Sequence, residues 1–394
     1  MKYTTAGESH GPALLAIVSG VPAGIALSSA AINSELARRQ SGYGRGARMQ
    51  IENDKVEILS GVRFGRTLGS PVALRIANRD WDNWAERMAQ EGKPPRDLAL
   101  EQAPRPGHAD LAGTQKIGSR DCRDVLERAS ARETATRVAA GAVAKAFLAN
   151  FGVEIGSYVT RIGGVELPPA EIARKAGVFS ATKVEASAVR CPHEATSEQM
   201  VAAIDAAREA GESLGGWFMV TATGLAPGLG GYAEAGDRLT GRIGGALLSI
   251  PAIKGVEFGL GFAAGTLPGS QVHDPIVYVG ESDANAFGRI RRASNNAGGL
   301  EGGMTTGEPL FVRAAMKPIP TMTQALQTID LVTHEAVEAS KERSDICAIP
   351  AAAVVAEAEL ALALAEAYQD KFGRDTLADA LASFEAYVAR IATR

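Results

Sequence analysis

Three clusters of reactive side chains stand far apart in this chain, two of them beside glycine and proline. The first is Thr5-Ala6-Gly7-Glu8-Ser9-His10-Gly11-Pro12, which gathers a carboxylate, a hydroxyl and an imidazole between two glycines and ahead of a proline. The others are Arg105-Pro106-Gly107-His108-Ala109-Asp110 and Arg343-Ser344-Asp345. Glycine admits backbone shapes that other residues resist, and proline fixes φ. Side chains on such turns are placed for a task rather than for packing. Clusters this far apart form one site only if distant loops meet on one rigid body. We therefore expect residues 1–394 to form a single large domain, although length alone would allow two or three.

The composition, 46% hydrophobic and 22% charged, supplies a full core. A net charge of -4 gives no global attraction to nucleic acid or to a membrane surface. Aromatic residues are only 5%, which argues against a stacking platform for single strands. No apolar run reaches the ~18 residues that a membrane span needs. Cys122, Cys191 and Cys347 lack zinc spacing and cannot all pair. With Met-Lys-Tyr-Thr leading straight into the first cluster, the expected compartment is a reducing cytoplasm.

Local patterns predict interleaved strands and helices. Leu14–Val21, Met49–Glu52, Val56–Leu59 and Val72–Ile76 read as strands, with Asn53-Asp54 as a hairpin signal. Ala30–Arg39 reads as a helix capped by Ser28 or Ser29. Residues 78–104 lack periodicity and are expected to form a long excursion or lid. Residues 121–149 carry the strongest helical signal, with a restart at Ser130, where Ser130-Ala-Arg-Glu133 makes a capping-box pattern. Strands are expected at Ser157–Val165, Gly216–Gly224 and Gly255–Ala264, and helices at Ser197–Ala210 and Ile243–Ile250. The Ala/Leu/Glu-rich end predicts two helices, the first starting at Pro350 and the two parted at Gly373. There is no internal repeat and no phosphate-binding βαβ unit, so the fold class is α/β with layered sheets and helices.

The segment 38–48 holds Arg38, Arg39, Arg45 and Arg48 around three glycines, and no acid. Guanidinium groups grip phosphate and carboxylate with a forked geometry, and the glycines let backbone amides approach an anion too. The bland alternative is a solvated basic turn. His10 and His108 sit beside glycine, next to hydroxyl or carboxylate groups, and imidazole exchanges protons near neutrality. His193, His273 and His334 lack that context and read as structural. No metal site is expected, there is no Gly-x-Ser-x-Gly elbow, and Gly298–Gly303 is not a Walker loop.

Taken together and in order, these clusters resemble the chorismate synthase family over nearly the whole chain. The matching stretches are Gly7-Glu-Ser-His-Gly11, Gly42-Tyr-Gly-Arg-Gly-Ala-Arg48, Arg105-Pro-Gly-His-Ala-Asp-Leu-Ala-Gly113 and Leu126-Glu-Arg-Ala-Ser-Ala-Arg-Glu-Thr-Ala135. They continue with Ala252-Ile-Lys-Gly-Val-Glu257, Ala297-Gly-Gly-Leu-Glu-Gly-Gly-Met304, Met316-Lys-Pro-Ile319 and Glu342-Arg-Ser-Asp345.

The resemblance implies a β-α-β sandwich assembled as a homotetramer. It also implies an anti-1,4 elimination of phosphate from 5-enolpyruvylshikimate 3-phosphate to give chorismate, the last step of the shikimate pathway. Reduced FMN is required without net redox change, lending an electron and taking it back. By the match, His10 protonates the leaving phosphate, His108 protonates the reduced flavin anion, and Asp345 helps a flavin nitrogen remove the substrate proton. Ser9 and Ser130 orient these groups. Arg39, Arg45, Arg48, Arg132 and Arg343 bind the anionic substrate. Flavin contacts carried over are Ser130, Ala131, Arg132, Pro251, Ala252, Gly302, Lys317, Pro318, Ile319, Pro320, Thr321 and Arg343.

The chain departs from the family pattern at Glu234–Asp237, at Pro320 (usually serine) and at Thr306 (usually asparagine). It has no large insertion of the kind associated with self-reduction of flavin, so an external flavin reductase is expected, with NADPH acting only indirectly. Two further readings are a net flavin oxidoreductase, which would consume reduced flavin, and a non-catalytic anion- or nucleotide-binding protein.

Overall fold

The computed structural model describes residues 1–46, 53–174, 177–340 and 345–393. The first sheet contains β1 (Lys2–Ala6), β2 (Ala13–Ser19), β3 (Val56–Ile58) and β4 (Val72–Ala77), in the order β1-β2-β4-β3. All its pairings are antiparallel. Strict alternation gives it one apolar face, because successive strand side chains point to opposite sides. Leu14, Ala16 and Val18 stand opposite Ile76, Leu74 and Val72, and all six are buried.

The second sheet contains β5 (Glu154–Ile162), β6 (Val165–Glu166), β7 (Gly216–Thr223), β8 (Ile253–Phe258) and β9 (Leu310–Met316), in the order β8-β9-β7-β5-β6. Its pairings are also antiparallel. Phe218, Val220 and Ala222 face the core beside Ala314, Val312 and Leu310.

The main helices are α1 (Ser29–Gln40), α2 (Asp110–Ile117), α3 (Arg123–Ala129), α4 (Thr134–Leu148), α5 (Glu194–Glu209), α6 (Leu239–Leu248), α7 (Ile349–Phe372) and α8 (Leu377–Ala392), of which α4 and α7 fill the space between the sheets. α4 lies on β2 and β4, α7 lies on β5 and β7, and α4 and α7 pack on each other. The result is a β-α-β sandwich with one continuous apolar core. Nearly all of α7 is buried, as expected of a helix apolar on all sides. Gly141 of α4 lets it approach α7 so closely that a Cβ there would come 2.3 Å from the Cβ of Ala358.

Most predicted elements appear within a few residues of their expected bounds. The break at Ser130 is present: α3 ends there in extended backbone, a 3-10 turn covers Ala131–Glu133, and α4 begins at Thr134. The strand expected over Gly255–Ala264 stops at Phe258 instead. Gly259 and Gly261 turn the chain at positive φ into a 3-10 helix, Gly261–Thr266. β1 and β9 carry no strong sequence signal and were not expected. The strand expected at Met49–Glu52 lies outside the described residues. Asp54, expected to be a turn residue, is a buried acid.

Candidate active site

The N-terminal turn, the 105–110 turn and Asp345 converge on one cavity of about 560 Å³ at the end of the helical layer. Ser9, His10, His108, Ser130 and Asp345 all line it, as do Arg39, Arg45 and Arg132. Arg48 and Arg343 lie outside the described residues.

His10 is held on three sides. Its peptide N–H donates to Oε2 of Glu127 at 2.8 Å, and its ring Nδ1 lies 2.9 Å from Oε1 of the same carboxylate. Trp84 stacks on the imidazole with centroids 4.1 Å apart. Burial would raise the pKa of Glu127, but hydrogen bonds from His10 and Arg123 hold it below the usual carboxylate range. The turn itself is pinned by Asn78, whose Nδ2 donates to the carbonyls of Glu8 and Gly11.

His108 repeats the pattern with a different acid. Its Nδ1 is 2.5 Å from Oδ1 of Asp110, and Nη2 of Arg105 is 3.0 Å from the same nitrogen. A ring nitrogen cannot accept from the guanidinium while donating to the carboxylate, and the shorter contact makes it the donor to Asp110. Arg105 binds Asp110 through its own peptide N–H at 3.1 Å and through Nε at 2.8 Å. Burial acts against ionisation of Asp110, yet His108 and Arg105 hold its pKa well below the usual range.

The cationic wall is built around another buried acid. Asp54 bridges Arg132, 2.6 Å from Nη1, and Arg39, 3.4 Å from Nη1. Arg132 Nε also donates to Asn78 at 3.0 Å, so one asparagine ties the guanidinium to the His10 turn. Burial pushes Arg39 down to about 10 against the pull of Asp54, with Arg45 and Arg132 adding repulsion. Arg45 pairs with Asp345 at 3.1 Å, and the other oxygen of Asp345 accepts from the Gly46 N–H at 2.7 Å. Arg38 does not join this wall. It runs into the core to make a two-pronged bond to Glu357, both contacts 2.8 Å.

The rest of the lining is largely apolar and small: Ala131, Pro251, Ala252, Ala348, Ala351 and Ala352, with Ile319, Pro320 and Thr321, and it also includes Lys254 and Lys317. Burial, together with the charge of Lys254, lowers the pKa of Lys317, whose ammonium donates to the Gly107 carbonyl. Ser130 Oγ accepts from the Arg132 N–H at 3.3 Å and so caps the turn that presents Ala131 and Arg132. Gly302 and Pro318 are not among the lining residues. Gly302 lies between the paired strands Leu300–Glu301 and Met304–Thr305, and Pro318 packs against Gly215. Thr306 lines a separate cavity of about 150 Å³. His193 serves as a helix cap, with Nδ1 2.8 Å from the Thr196 hydroxyl.

Asp54, Asn78, Trp84 and Glu127 are parts of the site that the sequence did not single out. The signals available were Glu127 inside a motif already quoted and the expectation of a lid over residues 78–104, which include Asn78 and Trp84. Nothing local marks an acid that will be buried between arginines from other segments.

Residues 1–369 match the family profile described as chorismate synthase. A chorismate synthase of Rubrobacter xylanophilus is 55% identical over 391 residues, covering 99% of this chain and 97% of that protein. One of Aquifex aeolicus is 52% identical over 395 residues, covering 98% and 97%. A crystal structure of chorismate synthase superposes with a TM-score of 0.80 at 43% identity, covering 100% of this chain and 98% of that one.

Proposed function

The chain belongs to the chorismate synthase family, and we propose from this that it converts 5-enolpyruvylshikimate 3-phosphate to chorismate by anti-1,4 elimination of phosphate. The cofactor is reduced FMN, with no net redox change. The observation that carries this reading is the pairing of two carboxylate-bound histidines, His10 and His108, with the Arg39–Arg45–Arg132 wall in a single cavity.

The residues present suit a flavin. Its ring system is flat and largely apolar, and the methyl-sized side chains of Ala131, Ala252, Ala348, Ala351 and Ala352 leave room for a flat group. The ammonium groups of Lys254 and Lys317 suit an anionic tail, and about 560 Å³ is within the range of small-molecule sites. When bound, reduced FMN supplies a transient electron to the substrate. The chain's own groups do the rest. Arg39, Arg45 and Arg132 hold phosphate and carboxylates by charge-assisted bonds, which strengthen where water is excluded. His10 delivers a proton to the phosphate oxygen as the C–O bond breaks, and His108, tied to Asp110, would hold a proton for the reduced flavin. Asp345, fixed by Arg45 and Gly46, would help take up the ring proton that is lost. The reading includes a cytoplasmic homotetramer served by an external flavin reductase. No described helix is long and apolar enough to cross a membrane.

Anaerobic turnover with catalytic, photoreduced FMN tests this directly, with phosphate and chorismate followed together. Many turnovers per flavin are expected, and His10→Ala should lower kcat by about 10²–10⁴-fold. Stoichiometric consumption of reduced flavin would instead make the protein an oxidoreductase.

A further inference from the structure

We propose that Glu127 is a positioning residue that holds His10 as the Nδ1–H tautomer, and that Trp84 and Arg123 close the same clasp around the ring. The catalytic meaning of this clasp rests on the role of His10 proposed above; its geometry does not.

Four side chains from three segments form a closed cycle. Glu127 of α3 accepts from the His10 peptide at 2.8 Å and contacts ring Nδ1 through both oxygens, at 2.9 and 3.0 Å. Trp84, at the end of the 3-10 turn Arg79–Asn83, stacks on the imidazole at an interplanar angle of 27°. Arg123 lies 4.9 Å from the Trp84 ring centre and donates to Glu127 Oε1 at 2.7 Å. Asp80 accepts from the indole N–H at 3.1 Å and fixes the tryptophan from behind. His10 lines the cavity, yet its Nε2 makes no hydrogen bond to any described residue.

An ionised carboxylate only accepts, so Nδ1 must carry the hydrogen; the proton that His10 gives the phosphate is a second one, held on Nε2 of an imidazolium whose Nδ1–H stays on Glu127. The clasp is not needed to hold the turn. The Ser9 N–H already donates to the Glu127 carbonyl at 2.9 Å, Arg128 donates to the Thr5 and Gly7 carbonyls, and Asn78 bonds Glu8 and Gly11. The carboxylate is therefore available to act on the ring itself.

Glu127→Gln is the discriminating change. Its single oxygen, in the place of Oε2, serves the His10 peptide N–H and lies 3.0 Å from Nδ1, while the amide NH2, in the place of Oε1 at 2.9 Å, donates toward Nδ1 and competes with its hydrogen. Arg123, on a longer and more exposed stem, is the partner that can give way. The ring then switches to the Nε2–H form and presents its hydrogen where an acceptor stood.

The experiment is ¹⁵N–¹H correlation of the imidazoles in full-length, ¹⁵N-histidine-labelled protein at a pH where imidazole is neutral. The five histidines give few signals, and His10→Gln assigns the one of interest. The expected result is Nδ1–H in the native protein and Nε2–H in Glu127→Gln, with a folded protein of lower denaturation midpoint, since a buried carboxylate is lost, and a kcat about a hundredfold lower at similar KM. Trp84→Phe should retain kcat, whereas Trp84→Ala should lower it. An Nε2–H signal in the native protein overturns the proposal without any variant, as does an unchanged tautomer in Glu127→Gln. A switched tautomer with unchanged turnover upholds the clasp and removes His10 from the proton transfer.

Discussion

Glu357 has no exposed surface, and three cations share its two oxygens: Arg38, Lys145 at 2.6 Å and Arg190 at 3.1 Å. Ser157 donates to it as well, at 2.6 Å. Burial works against its ionisation, but Lys145 and Arg38 outweigh that and hold its pKa far below the ordinary 4.5. Removing one partner from a buried ion cluster leaves uncompensated charge, so Glu357→Gln should cost about 3–5 kcal/mol in denaturant titration. The pH dependence has a definite sign. A carboxylate depressed in the folded state contributes fully above its unfolded value and loses that contribution as pH falls through the folded one. Glu357, Glu127 and Asp110 all act this way, starting from 4.5, 4.5 and 3.8. Glu359, raised by burial, acts in the opposite direction, being favoured when protonated. These depressed carboxylates, joined by Glu185, Asp274 and Glu308, outnumber Glu359 and predict a denaturation midpoint that falls steeply below about pH 4.5, and less steeply in Glu357→Gln. Arg38 shows why such a network is invisible in sequence. Its type and its neighbours Arg39 and Arg45 suggested an anion loop, but successive positions on a helix point about 100° apart. Arg38 therefore enters the core while Arg39 faces the cavity.

At the scale of elements, α4 and α7 show packing overriding propensity. Alanine is favoured over glycine inside a helix by roughly 0.5–1 kcal/mol, so an isolated α4 would gain from Gly141→Ala. In the fold the new Cβ would lie 2.3 Å from the Cβ and 2.4 Å from the Cα of Ala358, and backbone cannot step aside. Overpacking of this kind costs about 1–3 kcal/mol and should exceed the propensity gain. The expected outcome is a lower denaturation midpoint; a higher one would show that the two helices separate freely. The break at Ser130 was legible because capping chemistry is local: a hydroxyl accepts from an amide two residues on. The alternation of Leu14, Ala16 and Val18 was legible for the same reason, since one face of a strand is fixed by a period of two. β9 was not legible, because a central strand between β7 and β8 is specified by its neighbours rather than by a pattern of its own. The end of β8 depends on Gly259 and Gly261 adopting positive φ, which glycine permits but does not require.

On the scale of the whole molecule, the site belongs to no single segment. Its walls come from the first turn, the end of α1, the 105–110 turn, the α3–α4 break, the α6–β8 turn, the end of β9 and the start of α7. A ligand bound there stabilises only the assembled fold, so mass action applies to global unfolding. At a free concentration a hundred times Kd, FMN or substrate should raise the unfolding free energy by about 2.7 kcal/mol in one cooperative step, read by calorimetry. Loss of a separate early transition would mean instead that only a local lobe is ordered by the ligand. The sequence by itself singled out side chains that the fold brings to one cavity, His10, His108, Asp345, Arg39, Arg45 and Arg132, because polar clusters, most of them beside glycine or proline, are marked by their immediate neighbours. It also determined the alternation and capping that set most strands and helices, which are short-range effects. Only the tertiary structure decided which acid each cation and imidazole would meet: Glu127 for His10, Asp110 for His108, Asp54 for Arg39 and Arg132, and Glu357 for Arg38. Except for Asp110, those partners are brought in from distant segments, and burial makes each pairing obligatory, since an ionised group removed from water must be matched by opposite charge and hydrogen bonds.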